Sequence, residues 1–548
     1  MKSSDLTGIK RSPQLNALLA FVLLGTAPSL IFSTSLLAFE NQEPLQIPLV
    51  TSDENADVSL PDPDEAPVID ISLKDTEKSI ELSIREALSM ALQSNLDVAI
   101  SRISPAISKA RLAEAEAELD PRFTANVDYG ETSSPRTAEQ IAADGRSATK
   151  SRTANGSASV RQKIATGAEV AITTRTRDRM TTFNDFSNEF NSFTGVEVTQ
   201  PLLKDFGSSN TLADIRIARK SVEIAHQEFI DRVEQIVQNV YFTYFDLLLA
   251  QQDLDSKVDS LGLAQKLLED NKSRQQLGAM TMLDVSKARA EVASRLSLVV
   301  EAENTLSETE NSMVRLISRD VAKWLSKSIA TKDKLYLPGP DRQVKYDIAV
   351  GLENRADFIA LLKEAQQRNL QLSFRKNQLL PQLDLQSSFG YSGLADDLGK
   401  SFKNVTETRD EQWTVGLRFS IPWGNKAEIS RVEQAKLEKA RTLLSIKDKE
   451  QAIIIEIDNA VNSVHSARKK YEASLKAREF EDQNAFAEEA KLKEGASTTF
   501  VVLEIQRNAL LAKIRELRDL ADYNKALIRL KSSQGILLKD SGILLEQS

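Results

Sequence analysis

The chain has 548 residues, of which 27% are charged and only 6% aromatic, and its formal net charge is -9. Lysine and arginine are spread among acids along the sequence, so the charge pattern gives no nucleic-acid partner. With no cysteine and only two histidines, a disulfide framework and a reactive thiol are excluded. No metal ligand set, cofactor motif or catalytic cluster is expected.

The N-terminus carries Lys2, Lys10 and Arg11, followed by an uncharged stretch from Gln14 to Phe39 whose densest part is LLAFVLLG. This pattern predicts a signal peptide over 1–38. A membrane anchor is the alternative, since the stretch is long enough to span. Residues 39–80 are acidic and rich in proline and read as an exposed leader. A second run of eighteen apolar residues does not occur, which excludes a protein of several membrane helices.

Ser83 followed by Glu86 has the spacing of a reciprocal helix cap. The helix it starts should run through ARLAEAEAEL, kink at Pro105 and stop at Asp120-Pro121. A strand follows, with Phe123, Ala125, Val127 and Tyr129 on one side and Thr124, Asn126 and Asp128 on the other. Residues 131–157 read as an exposed loop. Residues 158–175 look like two strands around Thr166-Gly167 and are assigned to an elaboration of that loop. A last strand covers about 192–200. From Ser209 to Gln276 there is no proline and one glycine, Gly262, so a single helix of roughly 100 Å is predicted. Gly278 ends it, and a return helix covers about 284–319.

The same order then recurs. Ala91–Asp97 aligns with Gly351–Asp357 and PRFTANVDYG with PQLDLQSSFG, both at an offset of 260. TGVEVTQP falls on VGLRFSIP and LGAMTMLDV on EGASTTFVV. Four landmarks repeated in order mark a tandem duplication. The first repeat spans 81–319, a connecting segment 320–350, the second repeat 351–531 and a tail 532–548. In the second copy, strands at 383–391 and 413–421 flank a polar loop. The long helix from Lys426 to Glu494 has neither glycine nor proline, and the return helix covers about 499–531. Strands of about nine residues with one apolar and one polar face suit a bilayer-crossing barrel, although a soluble sheet alternates in the same way. Glu197 and Arg418 then belong on the polar side. Helices this long need neighbours, which implies several copies of the chain.

This repeat unit resembles the TolC-like outer-membrane efflux proteins of Gram-negative bacteria. Pro201 and Pro422 close a strand before each long helix, and a Gly-Ala-x-Thr turn precedes each return helix. The resemblance covers about residues 80–531. It implies a mixed α/β membrane protein, internally duplicated, in which a homotrimer forms a composite outer-membrane β-barrel and a long periplasmic α-helical coiled-coil tunnel. Four strands per chain would give twelve in the barrel. The implied function is a passive exit duct of a tripartite efflux or type I secretion system, not an enzyme. Its partners would be a periplasmic adaptor, an inner-membrane transporter and outer-membrane lipid. A periplasmic adaptor or a cell-surface coiled-coil protein is the alternative class. The resemblance places the tip turns and adaptor contact at Gly278, Ala279, Thr281, Gly495, Ala496 and Thr498. Asp284 and Glu504 become pore-gate candidates, Glu504 as a ring of like charge around the axis. Pro201 and Pro422 become the barrel strand ends.

Overall fold

The computed structural model describes residues 80–182, 185–324, 327–335 and 344–543. The expected signal peptide and nearly all of the acidic leader lie outside the described residues. In chain order the elements are β1 (Ile80–Leu82), α1 (Ile84–Ser94), α2 (Leu96–Glu116), β2 (Arg122–Pro135), α3 (Ala138–Asp144), β3 (Ala148–Lys163), β4 (Glu169–Thr181) and β5 (Phe190–Pro201). They continue with α4 (Ser208–Thr211), α5 (Ala213–Gln276), α6 (Met282–Ile317), β6 (Ile329–Thr331), α7 (Val344–Asn354), α8 (Ala356–Asn377) and β7 (Gln382–Ala395). The last are α9 (Leu398–Glu407), β8 (Asp410–Ser420), α10 (Lys426–Lys493), α11 (Thr499–Ser533) and α12 (Leu537–Asp540). The chain divides into two compact units. One holds Lys109–Lys220 and Ala365–Arg441, and the other holds Ser221–Glu364, Thr442–Ser548 and the segment up to Ser108.

The first unit is built on one antiparallel sheet in the order β2-β3-β4-β5-β7-β8. This corrects the expectation of four strands. The segment 148–181 is no elaboration of a loop but two full members of the wall, paired without interruption to β2 on one side and β5 on the other. Most of the expected loop 131–157 is β2, α3 and β3. The signal was weak because β3 alternates serine, threonine, alanine and glycine, so its two faces differ little in hydropathy.

Registers fix which side chains share a face. Phe123 stands opposite Val160, Val160 opposite Ile172, Ile172 opposite Val196, Val196 opposite Phe389, and Phe389 opposite Trp413. From the Phe123–Trp413 row to the strand ends nearest the long helices, this face carries no charged residue, whereas Asp178 and Glu411 stand on it farther along. Its charges, such as the Glu131–Arg152 pair at 3.2 Å, occur only toward the strand ends far from the long helices. Trp413, Val415, Leu417 and Phe419 are each more than 60% exposed. Such a face is stable only against another apolar phase. Glu197 and Arg418 lie on the opposite face, across from Ser388 and Asp384, as the alternation required.

Close approach decides two glycines. Gly195 and Gly390 are register partners. A Cβ on Gly195 would come within 2.5 Å of the Phe389 carbonyl oxygen and 2.8 Å of the Gly390 Cα.

The second unit is helical. α5 and α10 have 64 and 68 residues, about 96 and 102 Å at 1.5 Å per residue. α5 buries Val233, Ile236, Val237, Val240, Tyr244, Leu247 and Leu248, a stripe at helical spacing. This stripe packs with Leu82, Leu88, Val98, Met313, Ile317 and Leu537 in the main core. β1 and β6 pair in parallel beside it, and the Tyr244 hydroxyl sits 2.8 Å from Asp333 Oδ2. Ser83 caps α1 reciprocally with Glu86, as its spacing predicts. Pro105, by contrast, lies inside the unbroken α2. The helix divides instead at Asn95, which is buried and accepts from the Asp97 and Val98 backbone N–H groups.

The duplication extends to individual contacts at this junction. Asn95 Nδ2 donates to the Leu316 carbonyl at 2.9 Å, and Arg355 Nη1 donates to the Ser533 carbonyl at 3.3 Å. These are equivalent positions in the two repeats. Asp97 meets Arg232 at 3.4 Å, and Asp357 meets Lys449 at 2.6 Å. Burial opposes ionisation of Asp357, but hydrogen bonds from Arg355 and Lys449 prevail and hold its carboxyl down at about 2. Nearby Glu234 is buried with one carboxylate oxygen unpartnered. Burial, with Asp231 and Asp357 adding repulsion, pushes Glu234 up to about 7 against the lowering effect of the Leu537 N–H and Arg355.

Gly195→Val is expected to cost about 1–3 kcal/mol through overpacking, read as a lower melting temperature of the folded protein in detergent. An unchanged melting temperature would show that the two strands can part there. For Glu234, the folded chain holds its proton to higher pH than the unfolded chain. Its stabilising effect is therefore present at low pH and lost as pH rises through about 7. Glu234→Gln should raise stability at pH 8 by up to about 3 kcal/mol and change little at pH 5. Equal shifts at both pH values would contradict this.

Candidate functional site at the helical hairpin tips

Each hairpin reverses through the same backbone device. Gly278 has φ +77° and Gly495 φ +78°, values that cost a side-chain-bearing residue energy but not glycine. The Gly278 N–H donates to the Gln275 carbonyl at 3.0 Å and the Ala279 N–H to the Arg274 carbonyl at 2.8 Å. At the second tip Gly495 donates to Leu492 at 3.2 Å and Ala496 to Lys491 at 2.8 Å. Both are Schellman closures, which satisfy the last carbonyls of α5 and α10.

Thr281 then caps α6 and Thr498 caps α11, each hydroxyl accepting from a backbone N–H three residues on. The tips differ in what completes the cap. Asp284 Oδ2 accepts from the Thr281 hydroxyl at 2.6 Å and from its N–H at 3.2 Å, closing a capping box. The Thr281 hydroxyl holds the Asp284 carboxyl below its ordinary value. At the second tip Val501 takes that position and cannot reciprocate, while the neighbouring Ser497 hydroxyl donates to Glu488 Oε1.

Glu504 is exposed, one turn beyond Val501 on α11. Asp284 and Glu504 are therefore in different settings, the first engaged with its own helix start and the second open to solvent. Pro201 is the last residue of β5, opposite Asp384. Pro422 lies two residues past β8, where Gly424 and Asn425 take positive φ before α10 begins.

Contacts between the two hairpins were not foreseen from the sequence. Asn271 of α5 and Thr499 of α11 are both buried, and Asn271 Nδ2 donates to Thr499 Oγ1 at 3.2 Å. Arg274 Nη1 reaches the Leu492 carbonyl at 3.4 Å, and Lys287 Nζ lies 5.6 Å from the Phe500 ring centre. A cavity of about 150 Å³ lined in part by Asn271, Arg274, Val502 and Gln506 lies beside this seam. Within the first hairpin, buried Arg295 donates to the Ser260 carbonyl and hydroxyl at 2.8 and 3.0 Å. The legible signal was the spacing of Ser256, Ser260, Ala264 and Asn271, small or polar residues on one buried face of α5. A search for apolar periodicity passes over such a seam.

Beside the turns, Leu277, Met282, Leu283 and Phe500 are exposed, Leu277 by 84%. No group of three or more His, Cys, Asp or Glu that could hold a metal ion occurs among the described residues.

Asn271→Leu leaves the buried Thr499 hydroxyl without this partner and should cost about 1–3 kcal/mol. Hydrogen exchange at 495–503 should quicken in the folded protein. Unchanged protection there would remove this contact as the lock between the hairpins.

A family model described as Outer membrane efflux protein matches residues 87–319 and 349–535. Nodulation protein T of Rhizobium leguminosarum bv. trifolii is 22% identical over 350 residues, 61% of this chain and 70% of that protein. Outer membrane protein TolC of Vibrio cholerae is 21% identical over 364 residues, 63% of this chain and 76% of its own length. Among solved structures, the Campylobacter jejuni CmeC outer membrane channel superposes with a TM-score of 0.61 at 17% identity, covering 85% of this chain and 90% of that one.

Proposed function

Because the chain belongs to the outer membrane efflux protein family, we propose that three copies of it work as one duct, supplied from the inner membrane through an adaptor. The protein itself is a passive exit channel of the outer membrane and periplasm. The observation that carries the trimer is the sheet's pair of open edges flanking a face with an uncharged apolar belt. Every residue of β8 is exposed, and so is every residue of β2 except Ala125. Unpaired backbone groups cannot remain in hydrocarbon. β8 of one copy pairing with β2 of the next removes both edges at once.

The tips serve as the entrance. Gly278, Ala279 and Thr281, with Gly495, Ala496 and Thr498, form compact turns ringed by exposed Leu277, Met282, Leu283 and Phe500. These turns, with the apolar groups beside them, suit an adaptor hairpin that packs end-on. Glu504 faces the axis in this arrangement, so three carboxylates form an acidic ring that favours cations. Asp284 acts there mainly through the helix cap, since its carboxylate is engaged with Thr281. Energy comes from an inner-membrane transporter.

The test is ion conduction by the purified full-length protein in planar bilayers. A trimer whose cation permeability falls about twofold or more in Glu504→Gln agrees with a ring at the tip. An unaltered ratio would leave Glu504 on a solvated helix face. A purified folded protein that is monomeric in detergent would contradict the trimer.

A further inference from the structure

We propose that the hairpin β3–β4 widens the barrel to eighteen strands and lines its lumen with an arginine face that selects anionic cargo. This rests on the trimeric duct above. The sheet offers the comparison directly, because the hairpin and the four remaining strands present opposite charge on the face away from lipid. On that face β3 and β4 carry five bases, Arg161, Lys163, Arg175, Arg177 and Arg179, against one acid, Glu169. The other four strands carry two bases, Arg122 and Arg418, against four acids, Asp128, Glu197, Asp384 and Asp410. A wall of four strands would have an acidic lumen. With the hairpin inserted, the same wall is basic.

Arg175, Arg177 and Arg179 alternate along β4, so their guanidinium groups form a ladder about 13 Å long. Arg175 lies 4.3 Å from the Phe193 ring centre and 3.2 Å from Glu197 Oε1, which fixes its plane. Arg177 Nε donates to the neutral Asn155 amide oxygen at 3.0 Å, a contact that orients it, while Asn155 Nδ2 donates in turn to Asp128. Three copies place nine of these arginines around one aqueous channel. Charge of one sign between low-dielectric walls concentrates counter-ions, and guanidinium groups match carboxylate and phosphate geometry. The cargo class that fits is therefore organic anions bearing carboxylates or phosphates.

The experiment compares full-length wild type, R175Q/R177Q/R179Q and R175K/R177K/R179K in planar bilayers under a potassium chloride gradient. The glutamine variant should lower the chloride-to-potassium permeability ratio by about threefold or more, and the lysine variant should retain it. An equal ratio in wild type and the glutamine variant overturns the proposal. A folded protein that forms no trimer fails the duct reading instead, and if a folded trimer does not conduct, an electron-microscopy map of the trimer in lipid decides the lining. Eighteen strands with Arg175 inside uphold it. A hairpin outside the wall, or arginines toward lipid, overturn it.

Discussion

A β-sheet in lipid must close, because each backbone N–H or C=O left unpaired in hydrocarbon costs several kcal/mol. That constraint organises this protein. Its six strands have an uncharged apolar belt on one face and polar groups on the other, so the sheet is suited to a boundary between lipid and water. Alone it would leave β2 and β8 unpaired. Closure by further copies supplies the missing hydrogen bonds and encloses the polar face as a lumen. The apolar belt has to stay free of charge only where lipid touches it. Glu131 and Arg152 accordingly pair at its far margin.

The helical half follows from a second consequence of duplication. Each repeat bends at one junction, Asn95 or Arg355, and ties that bend to the end of its return helix through the same carbonyl position. The two copies then diverge in chemistry. The first uses a neutral amide to cap α2. The second uses a guanidinium shared with Asp357 at 2.7 Å and Glu456 at 2.6 Å. Charge at the second junction raises the electrostatic stakes around buried Glu234, whereas at the first the buried junction residue is a neutral amide and the Asp97–Arg232 pair lies exposed beside it. The tips show the same pattern, with a shared Schellman reversal and unlike caps at Asp284 and Val501.

Much of this was legible because long helices and membrane strands leave strong periodic signals. The absence of proline from both long helices, the glycines at both tips and the alternation of Trp413, Val415, Leu417 and Phe419 each point to one structure. β3 was obscure for the converse reason. A face made of Ala154, Gly156 and Ala158 meets Tyr129, Val127 and Ala125 across the register, and the apolar bulk sits on the partner strand. Pro105 misled because the helix runs on through it to Glu116 and divides at Asn95 instead. At the tips, Gly278 and Gly495 were visible as single residues, but the Asn271–Thr499 contact joins positions 228 apart in sequence, and no local pattern announces it.

Closure between copies is the central claim, and cysteine cross-linking tests it most directly, since the chain has no cysteine of its own. Single cysteines placed in turn along β2 and β8 would be combined in one chain and oxidised in outer membranes. The account predicts covalent dimers and trimers that stop at three, with the strongest pairs marking the register between copies. Cross-links confined to single chains, or a ladder that continues past three, would contradict it.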